Sequence, residues 1–226
     1  MELYEVMRTT PATRAFRDEP VADEVLYRIL DHARFAPSGG NRQGWRVIVV
    51  RDPKLRESIR DLYVLGWREY VALRERGLVP FAPTAARSWE PATPGPPQGP
   101  ARERPDPFAD HLHEVPVLLV VCVDLAALAV TDAELDRQSI VGGASVYPFA
   151  HNILLAARNE GLGGVMTTVI CRQEPQVQQL LSIPANYAIA TLIAVGHPRE
   201  RVSELRRRRV EKFTFVDRFE GEPFSR

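Results

Sequence analysis

The chain has 226 residues, of which 45% are hydrophobic and 26% are charged, so it is long enough to bury a core and is not compositionally disordered. Its 29 basic and 29 acidic side chains cancel, which gives no reason to expect nucleic acid or an anionic membrane as a partner. Two cysteines are too few for a disulfide framework. We expect one domain over residues 1–226, with small molecules and a second copy of the chain as partners.

No targeting or membrane segment is predicted. Residues 1–17 carry charges throughout and contain no continuous apolar stretch, so a signal peptide is not expected and the protein is expected in the cytoplasm. The longest apolar run, residues 115–123, contains Pro116 and is too short to cross a bilayer.

The first third of the chain predicts two helices and a strand. Residues 21–36 place apolar side chains on one face and charged ones elsewhere, as in an amphipathic helix that stops at Pro37. Residues 45–50 are rich in β-branched side chains and predict a strand. A second helix is expected from Pro53, at a first helical position, to about residue 76.

A proline-rich segment follows, at about residues 78–107. It contains nine prolines, too many for a helix or a central strand. A long segment of this kind is either a mobile insertion or a lid, and we favour a lid that crosses the functional site or the partner subunit.

The second half predicts three more strands, over residues 117–123, 164–170 and 189–195. Between the first two, residues 141–160 form a helix that is apolar over much of its circumference, which indicates burial in a core or a dimer interface. Pro148 either kinks this helix or marks a separate short first turn, and Gly161 ends it.

The remaining elements complete an α+β pattern. A helix begins at Pro175 and ends before Pro184, and residues 210–216 can form one more strand. Because helices and strands do not alternate strictly, an α+β layer structure fits better than a doubly wound sheet.

The sequence contains none of the common motifs for nucleophile, zinc-hydrolase or phosphate-loop chemistry. If the protein is an enzyme, a cofactor therefore performs the chemistry, and no catalytic side chain is nominated. His111 and His113 flank Leu112 next to two acidic residues, which suits a metal or simple alternation along an extended segment; no metal is expected. Cys122 is expected in the core, and His151 in the core or an interface.

Near the N-terminus, residues 8–16 read Arg-Thr-Thr-Pro-Ala-Thr-Arg-Ala-Phe and resemble the Arg-Arg-Ser-x-Arg-x-Phe element of the nitroreductase family. In that family the element holds the phosphate and ribityl chain of FMN, which nominates Arg14. The sequence departs from the family where Thr10 and Pro11 replace arginines and Ala12 replaces serine.

The second and most specific motif, residues 36–45, reads Ala-Pro-Ser-Gly-Gly-Asn-Arg-Gln-Gly-Trp and is similar to the family's Ala-Pro-Ser-x-x-Asn-x-Gln-Pro-Trp. An amide side chain, a hydroxyl and glycines suit the polar edge of a flavin ring. The resemblance implies contact with the flavin of the neighbouring subunit through Pro37, Ser38, Gly39, Asn41 and Gln43. By itself the motif also suits a helix-to-strand turn.

The third motif, residues 152–164, resembles the family's dimer helix and its Gly-Leu-Gly turn beside the flavin, which nominates Gly163 and Gly164. Further on, the family places a basic residue about two positions before a Pro-Leu-Glu or Pro-Val-Glu step. Here Arg209-Val210-Glu211 occupies that step, so Arg207, with Arg208 as its neighbour, is nominated for the FMN phosphate.

The resemblance implies a three-layer α/β/α fold with a mixed central sheet in an intertwined homodimer. It further implies a flavoenzyme that uses FMN and takes hydride from NADH or NADPH for an electron-poor acceptor such as a nitroaromatic or a quinone. Two alternatives stay open, because fold does not fix function. One is a flavoprotein with another reaction, such as dehydrogenation, flavin cleavage or deazaflavin-linked reduction; the other is a non-catalytic FMN-binding dimer.

Overall fold

The structure, a computed structural model, describes residues 1–82 and 106–225. Most of the proline-rich segment predicted as a lid lies outside these residues. The described helices are α1 (Leu3–Thr9), α2 (Asp23–Ala33), α3 (Pro53–Glu75), α4 (Pro107–Asp110), α5 (Tyr147–Asn159) and α6 (Glu174–Leu181). The strands are β1 (Trp45–Val49), β2 (Val117–Asp124), β3 (Gly163–Thr167) and β4 (Tyr187–Gly196).

The four strands form one sheet in the order β1-β2-β4-β3. All three strand pairings are antiparallel, so the sheet is not mixed in the way predicted. In the described residues, parallel pairing is confined to one bridge between Ala12 and Gly164, where the N-terminal segment meets the edge strand β3. The predicted α+β class is confirmed.

The sheet has a hydrophobic core on each face because side chains alternate along β2 and β4. Leu119 and Val121 belong to the core under α2 and α5, whereas Leu118 and Val120 belong to the core under α3 and α6. Helices therefore cover both faces, which gives the predicted three layers. Ile153 of α5 is fully buried in the first of these cores, so this position of the helix serves the single chain's core rather than a dimer interface.

Local signals fix the helix boundaries. At α3, Asp52 accepts a hydrogen bond from the Leu55 amide (2.9 Å) and Pro53 occupies the first turn, as predicted. Residues 141–145 form a separate 3₁₀ turn before α5, so Pro148 marks the start of a new helix and not a kink. Gly161 has a φ of +79°, as expected for the residue that ends α5.

Two predicted strands are wrong in extent. β3 ends at Thr167, and the apolar residues after it form the 3₁₀ helix Val169–Gln173, which packs against α3 at Gly66. The tail contains the 3₁₀ turn Val210–Lys212 and an isolated Phe215–Pro223 bridge in place of a strand. The backbone hydrogen bonds of the tail join residues of the tail to one another, because no strand of the sheet lies beside it in the single chain.

None of the helices in the described residues has the length and apolar character that crossing a bilayer requires.

Candidate functional site

The N-terminal segment of the site lies along the edge strand β3. The Thr13 amide donates to the Gly164 carbonyl oxygen (2.9 Å), which places Arg14 one residue beyond the end of this contact. A Cβ atom on Gly163 would lie 2.6 Å from the Thr13 hydroxyl oxygen, and one on Gly164 would lie 2.9 Å from the Ala194 carbonyl oxygen. The close approach of the N-terminal segment therefore requires glycine at position 163, whereas the packing of β4 requires it at position 164. The structure thus brings together Arg14, Gly163 and Gly164, as the sequence predicted.

Arg14 is exposed and has no hydrogen-bond or ion-pair partner among the described residues. Its charge acts on Tyr63, a fully buried residue of α3 whose hydroxyl lies 3.1 Å from the Thr167 hydroxyl. Burial raises the pKa of Tyr63 above its usual value, while the Thr167 hydrogen bond and the Arg14 charge act in the opposite direction. Within residues 1–82 and 106–225, Arg14 is therefore an unpaired cation on the α3 side of the sheet.

The loop of residues 38–43, here called the 38–43 loop, is held by its own polar groups. The Gln43 amide donates to the Ser38 hydroxyl (3.0 Å), and Gln43 Nε2 donates to Asn41 Oδ1 (3.1 Å). Gly40, Asn41 and Gln43 all have positive φ values, between 49° and 59°, which non-glycine residues rarely adopt. Asn41 and Gln43 are exposed, and within the described residues the Asn41 Nδ2 group has no partner. The loop presents an amide donor to solvent from a constrained backbone.

A second segment, residues 128–145, supports this loop from behind. The Gly39 amide donates to the Ser145 hydroxyl (3.1 Å), and a Cβ atom on Gly39 would lie 2.9 Å from the Ala129 Cβ. Buried Asp132 shapes this segment, since its carboxylate accepts hydrogen bonds from Arg137, Ser139 and two backbone amides. These bonds, led by the one from the Ile140 amide, hold the pKa of Asp132 well below its usual range.

Arg14, Gly163 and Gly164, here called the Arg14 group, lie together at one corner of the sheet. The 38–43 loop lies at the opposite corner. The loop leads into Trp45, whose neighbours across the sheet are Val123 and Ala188. Gly164, in contrast, pairs with Val195 at the other end of β4. From strand rise and spacing, the two corners are roughly 25 Å apart. One chain therefore does not bring the predicted flavin-ring residues Pro37, Ser38, Gly39, Asn41 and Gln43 next to Arg14.

The C-terminal arginines do not join either group. Arg207 and Arg208 are exposed in the tail, where Arg207 donates only to the neighbouring Arg206 carbonyl (2.8 Å). Arg17 and Arg199, which sequence reasoning did not nominate, line one cavity with Arg14. No local pattern indicated Arg199, since it is brought there by long-range pairing of residues 15–17 with residues 197–199.

Comparison with known proteins decides the family. The model described as Nitroreductase family matches residues 7–197. The chain belongs to the nitroreductase family. It is 31% identical to 5,6-dimethylbenzimidazole synthase of Rhodospirillum rubrum over 86% of this chain and 82% of the relative. It is 25% identical to a putative NADH dehydrogenase/NAD(P)H nitroreductase of Archaeoglobus fulgidus, over 88% and 87% of the two chains.

Among solved structures, the chain is similar to a nitroreductase with bound FMN from Desulfitobacterium hafniense. The TM-score is 0.64 at 21% identity, and the match covers 96% of this chain and all of the other. This likeness supports the fold.

The titratable clusters outside these groups do not form a second site in this nitroreductase-family chain. His111 and Glu114 form an exposed pair (3.0 Å) on a 3₁₀ turn, not on the extended segment considered above. No group of metal-ligand side chains occurs in residues 1–82 and 106–225. Cys122 is buried, as predicted, and burial raises its pKa to about 11, so it is not a nucleophile at neutral pH. His151 is exposed, so it does not lie in the core, and its place in an interface stays a prediction.

Proposed function

We propose that this protein is an FMN-dependent oxidoreductase. It takes hydride from NADH or NADPH and passes electrons to an electron-poor acceptor such as a nitroaromatic or a quinone. It works as an intertwined homodimer in which each flavin lies between the Arg14 group of one chain and the 38–43 loop of the other. The observation that carries this proposal is the separation of the two groups to opposite corners of one sheet.

The residues present fit FMN in their chemistry. Arg14 offers a guanidinium that has no partner in the described part of the chain, and its planar fork suits a phosphate or another anionic group of the cofactor. Gly163 and Gly164 allow Thr13 and β4 to pack directly against the backbone of β3, which keeps this backbone next to Arg14. We also assign the FMN phosphate to Arg207 and Arg208, whose guanidiniums are exposed and bind no carboxylate in the described residues.

The 38–43 loop fits the polar edge of the flavin ring. Pro37 and Gly39 fix the backbone entering the loop, while Ser38 and Gln43 hold Asn41 in its left-handed conformation. The free amide group of Asn41 can then donate to a ring carbonyl. When bound, the flavin supplies the hydride chemistry, which accounts for the absence of a recognisable acid–base pair in the sequence.

Exposed apolar residues beside the loop support the homodimer. Phe35 is 70% exposed three residues before the loop, and Ile140 is 73% exposed on the segment that supports it. Large apolar side chains grouped near a functional loop are typical of a surface that binds another protein. A second copy of the chain would cover them and bring its own Arg14 group to the loop.

The proposal is tested by purifying the protein and screening reductants and acceptors. We expect noncovalently bound FMN, oxidation of NADH or NADPH, and reduction of a nitroaromatic or quinone. Protein that binds FMN without oxidising either nucleotide would identify a non-catalytic flavin-binding dimer. Protein that does not bind FMN at all would contradict the proposal.

Similarity to the Rhodospirillum rubrum enzyme favours a second candidate, a reaction that forms 5,6-dimethylbenzimidazole. Mass spectrometry of the small molecules left after incubation in air with FMN and NADPH separates the two reactions. Formation of 5,6-dimethylbenzimidazole would favour the second, and nitroaromatic or quinone reduction with intact FMN the first.

A further inference from the structure

A cavity of about 700 Å³ lies next to Arg14, in the size range of small-molecule sites. Three arginines line it: Arg14, Arg17 and Arg199. Two backbone hydrogen bonds place the last two diagonally across paired segments, because the Arg17 amide donates to the His197 carbonyl oxygen (2.8 Å) and the Arg199 amide to the Ala15 carbonyl oxygen (3.0 Å). The arrangement therefore depends on paired backbone and not on mobile loops.

The charged groups of the cavity leave guanidinium donors available. Arg199 Nε donates to the Phe16 carbonyl oxygen (2.8 Å), and its two terminal nitrogens have no partner in the described part of the chain. Arg17 pairs with Glu19 (2.9 Å), but both side chains are about half exposed, so water screens the pair. Two carboxylates also line the cavity, those of Asp18 and Glu114, and Glu114 is paired with His111 (3.0 Å).

We propose that Arg17 and Arg199 bind the 2′-phosphate of NADPH, which makes NADPH the preferred hydride donor over NADH. This inference rests on the proposed function. Two guanidiniums that converge on one cavity suit a phosphate monoester dianion, which accepts several charge-assisted hydrogen bonds. The 2′-phosphate is the one such group that distinguishes NADPH from NADH.

The position of the two arginines relative to Arg14 favours NADPH over the phosphate of FMN. Arg14 and Arg17 are three residues apart in an extended segment, so their Cα atoms are separated by about 10 Å. A single phosphate held at Arg14 leaves the far end of the cavity unfilled. The apolar side chains of Phe16 and Val115 line the same cavity and provide a surface for the rest of a nucleotide.

The first test compares NADPH and NADH in steady-state kinetics for wild-type protein, Arg199→Ala and Arg17→Ala. For Arg199→Ala we expect kcat/KM for NADPH to fall by roughly tenfold or more, as for loss of a charge-assisted phosphate contact. We expect kcat/KM for NADH, and the affinity for FMN, to change by less than about twofold. Arg218→Ala, which removes an exposed arginine outside this cavity, is the matched control.

The second test measures binding without turnover. Calorimetric titration compares adenosine 2′,5′-bisphosphate with adenosine 5′-monophosphate, which lacks the 2′-phosphate. We expect wild-type protein to prefer the bisphosphate, and Arg199→Ala to lose that preference. This result would uphold the phosphate site even if the protein failed to oxidise NADPH. Failure of the phosphate site can therefore be distinguished from failure of the proposed oxidoreductase function.

Three results would overturn the inference. Equal losses of kcat/KM for NADPH and NADH would show a general effect on turnover. A loss of FMN affinity in Arg199→Ala with an unchanged NADPH-to-NADH ratio would assign the cavity to FMN. An unchanged preference for the bisphosphate in both arginine variants would remove them from any phosphate site.

Discussion

The Gly39 amide donates a hydrogen bond to the Ser145 hydroxyl, across more than one hundred residues of sequence. This bond connects the 38–43 loop to the 3₁₀ turn Val141–Ser145, which in turn follows the segment organised by Asp132. A buried carboxylate thus shapes the support of a loop to which it makes no direct contact.

Asp132→Asn should loosen the 38–43 loop. Asparagine replaces one acceptor oxygen by a donor in a place where four donors converge, so at least one hydrogen bond is lost. We expect protection of the Gly39 amide against hydrogen exchange to fall by about tenfold. Glu134→Gln, at an exposed residue of the same segment, is the control and should leave this protection unchanged.

In wild-type protein, the stabilisation of the 38–43 loop by Asp132 should not depend on pH across the neutral and mildly acidic range. Because the folded-state pKa of Asp132 is lowered, its contribution to stability is fully present above the unfolded value of about 4. The contribution is lost only as the pH falls through the lowered value. The protection factor of Gly39 should therefore be similar at pH 5 and pH 7, and a fall between these values would contradict the assignment.

Arg14→Ala should weaken FMN binding by roughly tenfold or more, because one charge-assisted contact contributes about 1.5–3 kcal/mol. Arg14 has no hydrogen-bond or ion-pair partner in the described residues, so the substitution should leave the fold intact. Fluorescence titration with FMN measures the change, with Arg8→Ala as a control from the exposed face of α1. Unchanged affinity in Arg14→Ala would remove Arg14 from the site.

Asn41→Ala should shift the reduction potential of the flavin and slow turnover more than it lowers FMN occupancy. Alanine removes the amide but also strains a backbone with a φ of +53°. Asn41→Gly removes the same amide without that strain, so both variants should shift the potential alike. If Asn41→Gly behaves as wild type while Asn41→Ala loses flavin, the amide serves only the loop conformation.

Substitutions at two isoleucines distinguish a residue needed for folding from a residue needed for dimerisation. Ile153→Asp places a charge in the core of the single chain, at a cost of about 3 kcal/mol or more, and should give unfolded or aggregated protein. Ile140→Asp changes a residue that is 73% exposed, so it should stay folded but become monomeric and poor in FMN. Circular dichroism and sedimentation measure the two effects. A dimeric Ile140→Asp protein that retains FMN would exclude this surface from the interface.

The sequence predicted best those features that local chemistry decides. The start of α3 follows from Asp52 and Pro53, and the end of α5 from Gly161, because capping groups act within a few residues. The end of β3 was not predictable, since an apolar run packs equally well as a strand or as a 3₁₀ turn against α3. Extended structure in the tail was mistaken for a strand because a strand also needs a neighbour.

In the candidate site too, the features that depend on local sequence were predicted and those that depend on long-range contacts were not. The resemblance nominated Arg14, Gly163 and Gly164 for one cofactor, and the structure places the segment of Arg14 beside both glycines. Arg17 and Arg199 were missed because they meet only through pairing of segments about 180 residues apart, which no local pattern encodes. The helix of residues 141–160 was expected in a core or a dimer interface, because amphipathic periodicity shows that a helix face is buried but not by which chain; the structure buries Ile153 within the single chain.

Mixing two impaired variants, at an FMN concentration too low to saturate Arg14→Ala, tests most directly whether the flavin site is shared between chains. Arg14→Ala and Asn41→Gly homodimers each carry the same defect in both sites. If Arg14 and Asn41 reach one flavin from different chains, a mixed dimer has one doubly damaged site and one wild-type site. After subunit exchange, NAD(P)H oxidation should then rise above the average of the two parent variants by up to roughly a quarter of the wild-type rate, since about half of the dimers are mixed and each has one wild-type site. Activity that stays at the average of the two parent variants, with exchange verified by mass spectrometry, would contradict the shared site.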